Sequence, residues 1–479
     1  MIAGPSPRAR AARRPPCRPL ATDLVHLPTP HALHLGTEPL GARHASVFVF
    51  KAAYRTVSSP QCRNSSVHTG SIDASSELAS KEQPDSGDPS MASPAHIIKK
   101  VLVPITAGTE PVEASVPIDI LRRAGADVTV AAAGVGVDDL LVAAMYGVNI
   151  VADASVADCA DVSYDLIALP GGVPGADNLG GCAALESIVR SHALNGGLYA
   201  AICAAPPLAL ARWGLLHGVK ATAHPAFVER FPAEVTAVDA NVVVDGKVVT
   251  GSGPATSMEF ALALVQQLYG KDKVDQIANP MLVRYELGYT FKELNPIQWQ
   301  CRGTPKVLIP VAHANEEMEV ITIIDALRRA NADVVVASAE EGLEVVGLYS
   351  MRIVADVLFD AAVDQQFDLI IVPGGMPGAK TLAGKEKLVA LLKEQAEANK
   401  PYGAISAATA HVLEPHGLLK SMAGMVAAAS ECENCRVLVD GNVITSRSTG
   451  TAMEFAVAVV EKLLGGEAAR EVAEGLLFV

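Results

Sequence analysis

In the stretch "AAICAAP", Cys203 follows a run of strand-type residues and precedes a stretch compatible with helix. Small residues stand two before and two after it, Ala201 and Ala205. That is the small-x-nucleophile-x-small frame of a strained strand-to-helix turn. Such a turn is expected to expose the sulfur at a helix N-terminus, where the dipole and free amides favour the thiolate. A thiolate there is a nucleophile or an oxidation-sensitive group. A small buried cysteine at a packing point gives the same local pattern, so the motif does not decide alone.

Two other stretches point to the same edge. "LPGGVPG" ends a strand in Gly171 and Gly172, leaving backbone amides free to approach a developing oxyanion. "TEPVE" places Glu113 just after the first strand at the entrance to a helix, where a carboxyl can hold a proton near Cys203 and return it. Read singly, Gly-Gly is an ordinary turn and a glutamate near a helix start is dipole-stabilising. All three, however, come from the carboxyl ends of strands.

The elements that must position these groups occur twice. "EPVEASVPIDILRRAGADVTVAA" from Glu110 matches "EEMEVITIIDALRRANADVVVAS" from Glu316, so Glu113 faces Glu319, 206 positions on. Pro170 faces Pro373, 203 on, and Glu259 faces Glu454, 195 on, which locates a deletion in the second copy. The repeat is domain-sized rather than solenoid-sized. Within each copy, short β-rich runs such as "KKVLVPI" and "DLIALP" alternate with helical stretches such as "SVPIDILRRA". Near-continuous apolar strands alternating with helices predict an α/β fold: two tandem flavodoxin-like domains, each a parallel-rich sheet sandwiched by helices. The expected boundaries are 96–270 and 305–479, joined by a connector over 271–304 that lacks clean periodicity.

Composition bounds the rest. The chain has 479 residues, 50% of them hydrophobic, and a net charge of -14 with no basic stripe, which points away from nucleic acid. No apolar run reaches the roughly 18 residues of a membrane span, so a soluble protein is expected. Eight scattered cysteines argue for a reducing compartment, and the Cys432 and Cys435 pair in "ECENC" reads as two thiols in a loop. Residues 1–95 differ from the body. "RARAARRPPCRPL" supplies five arginines before Asp23, the acid-poor pattern of a transit peptide, and a disordered linker follows. A chloroplast address is expected, with a mitochondrial one equally compatible in composition, and with a cytosolic protein if translation starts at Met91.

"GTEPVE", "LPGG", "AAICAAP", "AHP" and "TSMEFALALV" together closely resemble the DJ-1/PfpI superfamily, across about 380 residues and both copies. The tandem arrangement with a transit-like leader is similar to the plant branch of that family. The resemblance implies Cys203 as nucleophile, Glu113 as its carboxyl partner and His224 as a nearby histidine. It places the oxyanion amides at Gly171, Gly172 and Ala204. It also implies cofactor-free and metal-free conversion of methylglyoxal or glyoxal to hydroxy acids, reported protein deglycation, or redox-linked chaperone behaviour. Members that are proteases usually carry histidine directly after the nucleophile; here Ala204 follows, which weighs against peptidase chemistry.

The second copy keeps the frame and changes the nucleophile: "AISAATA" holds Ser406, with Glu319 and Gly375 in the acid and oxyanion places. The loop that would carry the histidine is shortened, since Gly214 to Gly246 spans 32 positions and Gly417 to Gly441 spans 24. A hydroxyl needs a base that a lone glutamate does not supply, and His411 lies five residues on along the following helix. The second domain is therefore expected to be catalytically inactive. It would serve as an intramolecular pseudo-dimer partner in place of the family's homodimer, with a further homo-oligomer open. Besides a glyoxalase acting on small dicarbonyls, a redox-responsive chaperone sensing oxidation at Cys203 and a non-catalytic organellar interaction protein remain open at this point.

Overall fold

The computed structural model describes residues 98–134, 140–301, 303–419 and 435–479. The leader, Cys432 and most of the shortened second-copy loop lie outside the described residues. No described helix is long and apolar enough to cross a membrane.

The first half is built on a seven-stranded sheet, ordered Val242–Asp245, Val248–Gly251, Leu198–Ile202, Leu166–Leu169, Lys100–Ile105, Asp127–Ala132, Ala154–Ser155. Every pairing is parallel except that of Val242–Asp245 with Val248–Gly251. All residues of Leu166–Leu169 and Leu198–Ile202 are buried, as a sheet covered on both faces requires. The chain runs outward from Lys100–Ile105 in one direction and then returns to its other side with Leu166–Leu169. This reversal opens a crevice at the carboxyl ends of the central strands, the place where such sheets bind ligands. The second half repeats the plan, and its eighth strand, Lys292–Leu294, is lent by the connector and pairs with Val437–Asp440.

The two halves meet through their first helices. Pro111–Arg123 packs against both Ser257–Tyr269 and Glu317–Arg329, which explains why even its polar Ser115 and Asp119 are buried. A four-stranded sheet also crosses between halves, with Arg352–Val354 antiparallel to Asn149–Val151 and Ile353 opposite Ile150.

One sequence boundary changes. Lys271–Met281, assigned above to the connector, is a helix whose Val274, Ile277 and Met281 are buried. It packs on Ser257–Tyr269 as Gly466–Leu476 packs on Ala452–Leu464, so it closes the first half. Gly270, at φ 84°, is a tight corner between two helices rather than the end of a domain.

Candidate active site

Three strand ends converge in the crevice. Leu198–Ile202 delivers Cys203, whose φ of 63° puts a non-glycine residue in the left-handed region. Two backbone bonds hold this strained turn: the Cys203 N–H donates to the Gly251 carbonyl at 2.9 Å, and the His224 N–H donates to the Cys203 carbonyl at 3.0 Å. Leu166–Leu169 delivers Gly171 and Gly172. Lys100–Ile105 leads to the Pro111–Arg123 helix, on whose first turn Glu113 sits.

Glu113 is locked from both sides. Its backbone N–H donates to Oε2 of Glu110, the capping residue, at 2.6 Å, and its own Oε2 accepts the Gly171 N–H at 2.9 Å. The carboxyl faces the Cys203 thiol. Oε1 is buried and has no hydrogen-bond partner of ordinary geometry among the described residues. A Cβ at Gly171 would lie 2.6 Å from Glu113 Oε2 and 2.7 Å from the Cys203 Cβ. Only glycine lets acid and thiol close over that point.

Burial sets the electrostatics. It pushes the Glu113 carboxyl up to about 7, against the opposing pull of Cys203, the Gly171 amide and Arg329. It also pushes the Cys203 thiol well above its ordinary range, reinforced by the Glu113 charge and opposed by the Gly172 amide. The expected exposed, readily ionised thiol is thus corrected: Cys203 is only 7% exposed. A local turn motif reports how the backbone bends, not what covers it. Since thiolate and carboxylate repel here, the pair shares one proton; with the thiol raised above the carboxyl it rests on sulfur, and the thiolate beside protonated Glu113 is the minor form from which attack starts.

Two other expectations change. The Gly171 amide is spent on Glu113, so it is not an oxyanion donor. The Gly172 amide bears on the Cys203 sulfur, while the Ala204 N–H makes no backbone hydrogen bond among the described residues and stays available. His224 joins the site through its backbone. Its ring Nδ1 accepts the Ala226 N–H at 3.2 Å and so caps the Pro225–Arg230 turn, with no ring hydrogen bond to Cys203 among the described residues. Burial, then Arg329, lower its pKa, which keeps the ring neutral at pH 7.

The second half copies the elbow, with Ser406 at φ 55° and its N–H on the Ser446 carbonyl at 3.0 Å. Glu319 Oε2 accepts the Gly374 N–H at 2.8 Å, but Oε1 is also occupied, by the Thr449 hydroxyl at 3.2 Å. By the repeat, Thr449 stands where the first half has Pro254. His411 is half-buried and makes no hydrogen bond to Ser406 among the described residues.

Burial raises Glu319 from 4.5 to about 8. A carboxyl raised on folding stabilises the fold fully below its unfolded value, and that contribution is lost as pH rises through the folded one. Glu319→Gln is therefore expected to remove a loss of roughly a few kcal/mol between pH 5 and 8.5. Urea midpoints of variant and parent at the two pH values check this; equal pH dependence would refute it.

Sequence reasoning passed over Glu110, over Arg329, whose Nη2 donates to Glu110 Oε1 at 2.8 Å, and over Tyr146, whose ring centroid lies 4.3 Å from the Arg329 guanidinium. The only local signal was for Glu110, an acid three residues before Glu113 and thus at a capping position.

The DJ-1/PfpI family model matches residues 99–267 and again 305–462. The chain is 50% identical over 391 residues to Protein DJ-1 homolog B of Arabidopsis thaliana, covering 79% of this chain and 88% of that protein. It is 48% identical over 396 residues to Protein DJ-1 homolog A of the same plant, covering 80% of this chain and all of that protein. A Caenorhabditis elegans protein, glutathione-independent glyoxalase DJR-1.2, is 33% identical over 176 residues, covering 36% of this chain and 89% of its own length.

Proposed function

Since this chain belongs to the DJ-1/PfpI family, we propose that its first half is a cofactor-independent glyoxalase that converts methylglyoxal or glyoxal to lactate or glycolate. The observation that carries the reading is the Cys203 and Glu113 pair: a nucleophile on a strained turn facing a carboxyl whose pKa is about 7. A general acid and base works best when its pKa matches the working pH.

The steps balance without metal, nucleotide or glutathione. The Cys203 thiolate attacks the aldehyde carbon, the carbonyl electrons move to oxygen, and Glu113 gives that oxygen its proton, leaving a hemithioacetal. The Glu113 carboxylate then removes the proton from the same carbon, and the electrons flow into an enediol. Reprotonation at the adjacent carbon leaves a thioester of the hydroxy acid. Water hydrolyses it, releasing lactate and restoring the thiol. In this reading the Ala204 amide steadies the transient oxyanion.

The likeness to a named glyoxalase supports this reading, as does the second half's contrast. There the nucleophile is a hydroxyl, and Thr449 occupies the carboxyl oxygen that the first half leaves open. Ser406→Ala is expected to leave kcat/KM for methylglyoxal within about twofold of the parent, in glutathione-free assays of lactate formation. A loss of tenfold or more would assign chemistry to the second half.

A second reading has one observation in its favour. A protonated Glu113 with an open Oε1 is suited to donate to an oxidised Cys203 sulfur, as a redox-responsive chaperone would require. Turnover separates the two.

A further inference from the structure

A cavity lies apart from the Cys203 crevice, where the connector meets both halves. Neither Cys203 nor Glu113 lines it. Its walls include Val116 and Met258 of the first half, Met453 and Phe478 of the second, and Arg284 to Leu287 of the connector. They enclose about 40 Å³. At roughly 10–15 Å³ for each water, that is room for about three waters, or for one molecule of about five non-hydrogen atoms.

The polar groups on these walls are unevenly paired. Glu454, 3% exposed, accepts the Arg436 Nε–H on Oε1, and Arg284 Nη2 stands 3.6 Å from the same oxygen. Oε2 of Glu454 and Nε of Arg284 are buried and make no hydrogen bond among the described residues. In the first copy, Glu259 holds the place of Glu454 and Asn241 that of Arg436, each 195 positions earlier. Asn241 gives Glu259 a neutral partner, Nδ2 to Oε2 at 3.0 Å, and Glu259 makes no ion pair among the described residues. One acid is thus balanced by two guanidinium groups and its counterpart by none. Burial raises both carboxyls, a cost that a neighbouring cation offsets.

An open acceptor and an open donor within one largely apolar enclosure suit a ligand that carries both charges. A lone anion there would face Glu454 and Glu259, and a lone cation would face Arg284. We propose that this cavity binds a small zwitterion, an α-amino acid no larger than alanine: its carboxylate accepts the Arg284 Nε–H, and its ammonium donates to Glu454 Oε2 and faces Glu259. A longer side chain would run into Met258, Met453 and Phe478. Because the site is separate from the Cys203 crevice, binding is read without turnover and the result stands whatever that crevice does.

The full chain is titrated with glycine in a calorimeter at pH 7, beside acetate, methylammonium and leucine. Two variants are compared with the parent: Arg284→Gln, which removes the open guanidinium, and Ala255→Leu, which fills the cavity from another wall without touching a charge. Glycine is expected to bind once per chain, with acetate, methylammonium and leucine at least about tenfold weaker and with each variant losing at least about tenfold in affinity for glycine. The two variants act at different walls, so either one suffices should the other not fold. No glycine binding at tens of millimolar would overturn the proposal. So would acetate, methylammonium or leucine binding as tightly as glycine, or glycine affinity unchanged in the folded variants.

Discussion

Cys203→Ser is expected to lower kcat/KM for methylglyoxal by a factor of at least about 10³, because burial that already raises a thiol keeps a hydroxyl protonated altogether. No base is at hand to remove that proton. The His224 ring caps its own turn, and Glu113, at about 7, is poorly matched to a hydroxyl. The second half carries the same replacement in its own sequence, with the elbow and the acid kept around Ser406. Initial rates of lactate formation measure the effect. Activity within tenfold of the parent would mean that the nucleophile lies elsewhere.

Glu113→Gln is expected to cost about 10²- to 10⁴-fold in kcat, the usual worth of a positioned acid and base. The amide oxygen can still accept the Gly171 N–H, so the glycine turn keeps its partner while proton transfer is lost. The parent's rate profile should carry a limb near pH 7, where the carboxyl titrates, and the variant should lack it. Rates from pH 5.5 to 9 check both statements. A variant with full activity, or one that keeps the limb, would remove Glu113 from the proton path.

These expectations draw on parts of the molecule that differ in how far the sequence exposes them. Cys203, Glu113 and the glycine pair were visible because each stands where a strand ends, and strand ends are marked by apolar runs breaking into small or polar residues. The doubling of the fold was visible for the same reason, in two matching series of such ends. Burial of the sulfur was not visible, since cover comes from segments far along the chain. The Arg329 contact was hidden more deeply: it meets Glu110 across 219 positions, and nothing near either residue records the meeting. The Gly171 amide was misassigned for a similar reason. A Gly-Gly turn announces free amides, but which acceptor takes each one depends on the neighbouring strand. Lys271–Met281 was missed because a glycine between two helices reads locally as a domain end.

The most direct measurement is proton NMR of the product formed from methylglyoxal by the Ser406→Ala chain in D₂O, without glutathione. Proton transfer through Glu113 and an enediol predicts lactate carrying deuterium at C2. Absence of lactate, or lactate formed at an undiminished rate with the substrate's own hydrogen at C2 when Glu113 is also replaced by Gln, would contradict it.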